Sequence, residues 1–173
     1  EKSGAQVAYV MPSHQFPLGV VMPIRRRLEL LKWADRGERY IIEDDYDSEF
    51  RYKGKPIPAL QGYDIHERVI YLGTFSRSIA PALRMSYMVL PESLLCVYER
   101  EYRFINSTVS KIDQKIVERF LAEGYYERHL NRMRALYKSR HDTLLNALKP
   151  LLSIGSVSGE YAGVHLLFTF HDG

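Results

Sequence analysis

Two short apolar runs, each leading into a block of polar residues, constrain this chain more than any other feature. Tyr40-Ile41-Ile42 runs into E-D-D-Y-D-S-E-F from Glu43. About thirty residues later, Val69-Ile70-Tyr71-Leu72 runs into G-T-F-S-R-S-I-A-P-A-L-R from Gly73. β-Branched and aromatic residues bounded by turn formers read as buried strands. A third apolar run, 6–11, ends at Pro12, and 12–19 reads as a loop by its Pro, Ser and Gly content. Pro23 suits the start of a helix and Gly37 its end, with Leu28, Leu31 and Ala34, flanked by Leu30 and Trp33, at helical spacing. Strand, helix and strand within fifty residues predict an α/β fold with a parallel sheet. Ligands of such sheets bind in the crevice outside the strands' carboxyl ends. There the chain places acids at one strand end and Arg77 and Arg84 beyond the other, a combination that points to an anionic, ring-bearing cofactor.

The rest of the chain is punctuated clearly. The segment 49–62 carries Gly54, Pro56, Pro58 and Gly62 and reads as irregular; 85–90 is a further strand, ended by Pro91. The second half is helical: one helix from Pro91 to about Arg103, and one N-capped by Ser110 and ended by Gly124. A long amphipathic helix then spans about 126–148, with Leu130, Met133, Tyr137, Leu144 and Leu148 as its stripe. Its Arg128, Arg132, Arg134, Lys138 and Arg140 read as a solvated face, as does Arg25-Arg26-Arg27 in the first helix. Strand candidates at 153–157 and 164–170 begin a smaller α+β unit. The chain starts beside one strand and stops just past another, which reads as a piece of a longer protein.

Composition sets outer bounds. The 173 residues are 46% hydrophobic and 26% charged, enough for one globular domain with a core. A formal charge of +3 does not by itself argue for nucleic acid. No apolar run nears the ~20 residues of a membrane span, and no signal peptide is visible. Cys96, the single cysteine, excludes an internal disulfide and fits a reducing, cytoplasmic setting; flanked by Leu94, Leu95 and Val97, it reads as a buried structural thiol. No His/Cys spacing indicates a metal site.

Three readings of the acidic block stay open on the residues alone. Glu43, Asp44, Asp45, Asp47 and Glu49 suit a divalent cation, although such sites usually draw ligands from several segments. One acid beside a pyridine nitrogen would make the ring a better electron sink, with Tyr46, on the same side as Asp44 of an extended segment, near a ring substituent. A solvated acidic turn is the third. In the second block Gly73 permits close backbone approach, Thr74 and Ser76 offer hydroxyls, and Arg84 offers a fork suited to phosphate.

The blocks P-S-H-Q-F-P-L-G, E-D-D-Y-D-S-E-F, P-A-L-Q-G and G-T-F-S-R-S-I-A-P-A-L-R, with the helix H-L-N-R-M-R-A-L-Y-K-S-R, resemble the MocR-type transcription regulators of the GntR superfamily. That family joins a winged-helix DNA-binding domain to a domain shaped like a fold-type I aminotransferase. The resemblance implies a mixed, mainly parallel sheet in a pyridoxal 5′-phosphate-binding large domain (1–123). A connecting helix and the start of the small C-terminal domain would follow (124–173), with the DNA-binding domain outside the chain. It further implies Asp44 at the pyridine nitrogen, Tyr46 at the phenolic oxygen, and Thr74, Ser76 and Arg84 at the phosphate. His14 and Gln15 fall in the loop on the effector side. The family's Schiff-base lysine is replaced by Arg77, whose guanidinium stays charged and is a poor nucleophile. The cofactor is therefore expected to bind non-covalently, and no catalytic residue is assigned. A homodimer that senses a small amino compound is the function implied; an aminotransferase, or a degenerate domain kept for dimerisation, are the alternatives.

Overall fold

A computed structural model describes residues 4–54 and 57–171. Pro56 of the expected irregular segment and the terminal residues 1–3 and 172–173 lie outside the described residues. Four strands form the main sheet in the order β1 (Val7–Val10), β2 (Tyr40–Asp45), β3 (Val69–Thr74) and β4 (Ser86–Val89). β1, β2 and β3 run parallel, and β4 returns antiparallel to β3, pairing Thr74 with Ser86. The sheet is thus mixed and mainly parallel, as the resemblance implies; the alternation of elements predicts its parallel strands.

Helix α1 (Ile24–Arg36) makes the crossover from β1 to β2, with Pro23 as its N-cap and Gly37 closing it. Its Ala34 meets Ile41, Leu60 and Val69 in the core, with Leu30, Leu31, Trp33 and Val10 packed against them. One residue of this face corrects the sequence reading. Arg27 is fully buried, whereas Leu28 is 43% exposed. Arg27 lies three, four and seven residues before Leu30, Leu31 and Ala34, so it belongs to the apolar stripe by helical period. Its guanidinium donates to the carbonyls of Met22 (3.0 Å), Pro58 (2.8 Å) and Pro12 (2.8 Å), tying three loops together. Arg25 and Arg26 are solvated as expected and pair with Glu29.

Past β3 the chain forms the four-residue helix α2 (Phe75–Ser78) and a 3-10 turn at Pro81–Leu83 before entering β4. The second half follows the caps closely. Helix α3 spans Glu92–Glu101, α4 spans Lys111–Ala122, and α5 spans Tyr125–Leu148. The Ser110 hydroxyl accepts from the backbone of Ile112 (3.2 Å) and Asp113 (3.4 Å), and Gly124 takes the left-handed turn between α4 and α5. Two expectations fail here. Cys96 is exposed, because α3 buries none of its residues. Leu144 is exposed, and Leu145 is the partly buried residue at that turn of α5.

The last two strands, β5 (Gly155–Ser158) and β6 (Leu167–Phe170), pair antiparallel in a separate small sheet. This unit is fastened to the acidic segment: Gly163 N donates to Phe50 O (2.6 Å), and Tyr52 N to Tyr161 O (3.0 Å).

Candidate functional site

β2 alternates strictly. Ile41, Glu43 and Asp45 are buried, while Tyr40, Ile42 and Asp44 point the other way and are partly open. The acidic run is thereby split. On the buried side Glu43 accepts from the backbone of Leu60 (2.8 Å) and Gln61 (2.9 Å), fixing the 58–61 segment. Asp45 accepts from Ser48 (2.7 Å) and the Tyr71 hydroxyl (2.9 Å). Asp47, also buried, pairs with His14 Nδ1 at 3.0 Å and accepts from Val164 N at 3.2 Å. Burial pushes the Glu43, Asp45 and Glu49 carboxyls above the ordinary carboxylate range, only partly offset by the hydrogen bonds each accepts. A solvated turn is thus excluded for Glu43, Asp45 and Asp47.

On the other side lies a cavity of about 460 Å³. Asp44 and Tyr46 line it from the end of β2; Thr74, Ser76 and Arg77 line it from the end of β3 and from α2. Arg84 and Ser86 complete that side, and Met11 and Phe16 come from the loop after β1. Six of the eight residues singled out in the sequence therefore meet at one cavity. Arg84 holds a left-handed backbone (φ +46°), unusual for a residue with a side chain, at the turn between the 3-10 segment and β4.

Several of these groups already have partners. Thr74 Oγ1 accepts from Ser76 N (3.2 Å), capping α2, and donates its proton to Met85 O (3.1 Å). The Tyr46 hydroxyl donates to His14 O at 2.8 Å. Burial, with the nearby charges of Asp47 and Asp44, raises the Tyr46 pKa, so this phenol stays protonated at neutral pH.

Two residues of the sequence reading lie elsewhere. His14 is turned inward, 1% exposed, against Asp47. Its ring lies 4.4 Å from that of His165. Gln15 folds back on its own loop, accepting from Leu18 N at 3.3 Å, and lines a neighbouring apolar groove. Met11 and Phe16 take the expected place of His14 and Gln15 beside the cavity. Gly73 also faces a neighbour within the sheet: a side chain there would lie 2.3 Å from the Tyr87 ring, so the glycine leaves room for a tyrosine of β4.

No protein-family model matches the chain. It is 47% identical over 160 residues to an uncharacterized HTH-type transcriptional regulator, YhdI, of Bacillus subtilis, covering 92% of this chain and 34% of that protein. It is 42% identical over 135 residues to the probable rhizopine catabolism regulatory protein MocR of Rhizobium meliloti, covering 78% and 27% respectively. Among solved structures it resembles the kynurenine aminotransferase of Pyrococcus horikoshii with a TM-score of 0.85 and 32% identity, over 97% of this chain and 42% of that one.

The chain belongs to the MocR-type regulators, within their aminotransferase-like part.

It spans about a third of the length of the curated relatives it matches. Its fold is that of the fold-type I, pyridoxal phosphate-dependent aminotransferases. In this MocR-type chain the residues that sequence reasoning missed are Met11, Phe16 and Ser86. Ser86 was findable, since it pairs in register with Thr74. Nothing in the local sequence distinguished Phe16 from its neighbours, because the fold of the 12–19 loop depends on partners far along the chain. Among the described residues, His14, Asp47 and His165 bring possible metal-ligand atoms within 4.8 Å of one another. No comparable group forms among the acids of the run, which the strand's alternation separates.

Proposed function

We propose that this chain is the cofactor-holding part of the sensing domain of a MocR-type transcription regulator, and that it binds pyridoxal 5′-phosphate without a covalent bond to Arg77. The observation that carries the reading is the shared cavity: Asp44 from one strand end and Arg84 from beyond the next line a single space of about 460 Å³. The donor set suits the group. When bound, the cofactor supplies an electron-withdrawing pyridine ring and a phosphate dianion that anchors it. Asp44 offers a carboxylate acceptor to the ring nitrogen. Tyr46 would exchange its bond to the His14 carbonyl for one to the phenolic oxygen. Ser76 and Arg84 would hold the phosphate, Arg84 through its bidentate fork. Thr74 borders the same end, but its hydroxyl is spent on holding the turn, so its part there is to fix Ser76. Arg77 keeps a positive charge at the position of the missing lysine and cannot act as a nucleophilic amine.

The wider assignments rest on the relatives. DNA binding would reside in a domain outside this chain, in keeping with the HTH-type names of the regulators. The residues 1–123 would form part of the large domain, and 124–173 the connecting helix and the start of the small one. A homodimer is supported by the exposed apolar side chains around α3 and α4, among them Phe104 (80%) and Ile112 (74%). The effector would be a small amino compound whose binding favours one dimer geometry over another. A regulator of DNA would act in the cytoplasm.

The aminotransferase likeness favours a second reading, an enzyme. Transamination needs a free amine base to move a proton, and Arg77 does not supply one. Borohydride treatment of the intact regulator with pyridoxal phosphate, followed by peptide mass analysis, tests the proposal. The expected result is cofactor that binds and is removed by dialysis, with no phosphopyridoxyl mass on this chain. A trapped adduct at any residue here would defeat the non-covalent reading, and turnover of an amino donor would favour the enzyme.

A further inference from the structure

Asp44 has a neighbour that the cofactor reading does not use. Tyr9 lies on β1, opposite Ile42 in the parallel register, and Asp44 is two residues beyond Ile42. Two residues along a strand return to the same face, so the phenol of Tyr9 and the carboxylate of Asp44 share one side of the sheet. The Tyr9 hydroxyl donates a hydrogen bond to Asp44 Oδ2. Among the described residues no hydrogen bond reaches Asp44 Oδ1. Tyr9 itself borders the apolar groove that adjoins the cavity and shares Met11 and Phe16 with it.

We propose that Tyr9 is a positioning residue for the ring-nitrogen acid: it holds one oxygen of Asp44 and leaves the other free for the ligand. The proposal rests on the pyridoxal phosphate reading above. A carboxylate on a strand end can rotate about its last torsion, and a donor fixed on the adjacent strand removes that freedom before the ligand arrives. The bond also fills one acceptor position with a neutral donor, so the negative charge needed by a protonated ring nitrogen is retained. The donor persists across the neutral range, because the bond to Asp44, with burial second, pushes the Tyr9 pKa up to about 12. Tyr9 makes no contact with the ligand in this scheme; it acts only through Asp44.

The test compares two probes on the intact regulator: pyridoxal 5′-phosphate and its 1-deaza analogue, in which the ring nitrogen is a CH group. Equilibrium titration is run on the wild type, Tyr9→Phe, Asp44→Asn and the double variant. Tyr9→Phe is expected to weaken pyridoxal phosphate about tenfold, as for loss of a hydrogen bond to a charged group. Binding of the deaza analogue should stay within about twofold. In the Asp44→Asn background Tyr9→Phe should add no further loss. Equal weakening of both probes by Tyr9→Phe would mean packing alone, and no weakening would mean no role; either overturns the proposal. A wild-type protein that binds neither probe overturns the cofactor reading instead, and the assignment of Tyr9 falls with it.

Discussion

Glu43, Asp45 and Asp47 leave the end of β2 on one side, and Asp44 and Tyr46 leave it on the other, into opposite surroundings. The first three are buried and hydrogen-bonded to groups of the chain itself. The other two border an open cavity opposite two arginines. One acidic run thus does two jobs. Its odd-numbered members fasten the loops around the sheet's carboxyl end. Its even-numbered members face the open cavity. Composition alone would assign all five residues to one patch; strand alternation divides them.

Breaking the buried side should cost stability first. Arg27→Met removes three carbonyl contacts and a buried cation that interacts with Glu43 and Asp45. Urea denaturation should show a loss of about 3–5 kcal/mol, the range for leaving buried charge uncompensated. A loss under ~1 kcal/mol would mean that the guanidinium does not organise these loops. Next, Glu43→Ala leaves the amides of Leu60 and Gln61 without their acceptor. It should cost about 2–3 kcal/mol while pyridoxal phosphate affinity changes less than about twofold. Reduced affinity at unchanged stability would blur the division between the two sides.

A smaller effect should appear with pH. Glu43, Asp45 and Glu49 all have carboxyl pKa values raised chiefly by burial. The folded state holds these protons more tightly than the unfolded state does. Their contribution is therefore full below the ordinary carboxylate pKa of about 4 and is lost as pH rises through the raised folded values. Thermal melts should accordingly show this contribution falling as pH increases above about 4, and Glu49→Gln should flatten the slope. A slope unchanged by Glu49→Gln would indicate that this carboxyl does not titrate with folding.

What could be read from the sequence was mostly local. Ser110, Gly124 and Pro91 mark helix ends through their own local chemistry, and the structure places the ends within a residue or two of them. The two polar blocks were legible because strands deliver their ends to one edge of a parallel sheet. What escaped depended on distant partners. Arg27 sits on the apolar stripe, but its charge argued for solvent, and only the carbonyls of Pro12 and Pro58 explain its burial. His14 turns inward because Asp47 and His165 meet it there. Gly73 is set by a tyrosine on β4. Each of these residues is explained by a contact that no pattern within a single segment encodes.

The most direct test of the central claim is pyridoxal phosphate affinity in Asp44→Asn, Arg84→Gln and the double variant of the intact regulator, with melting temperature as a control. If two strand ends hold one ligand, each single change should weaken binding at least about tenfold at nearly unchanged stability, and the double variant should bind weakest. Affinity that stays at the wild-type level in either single variant would contradict the account.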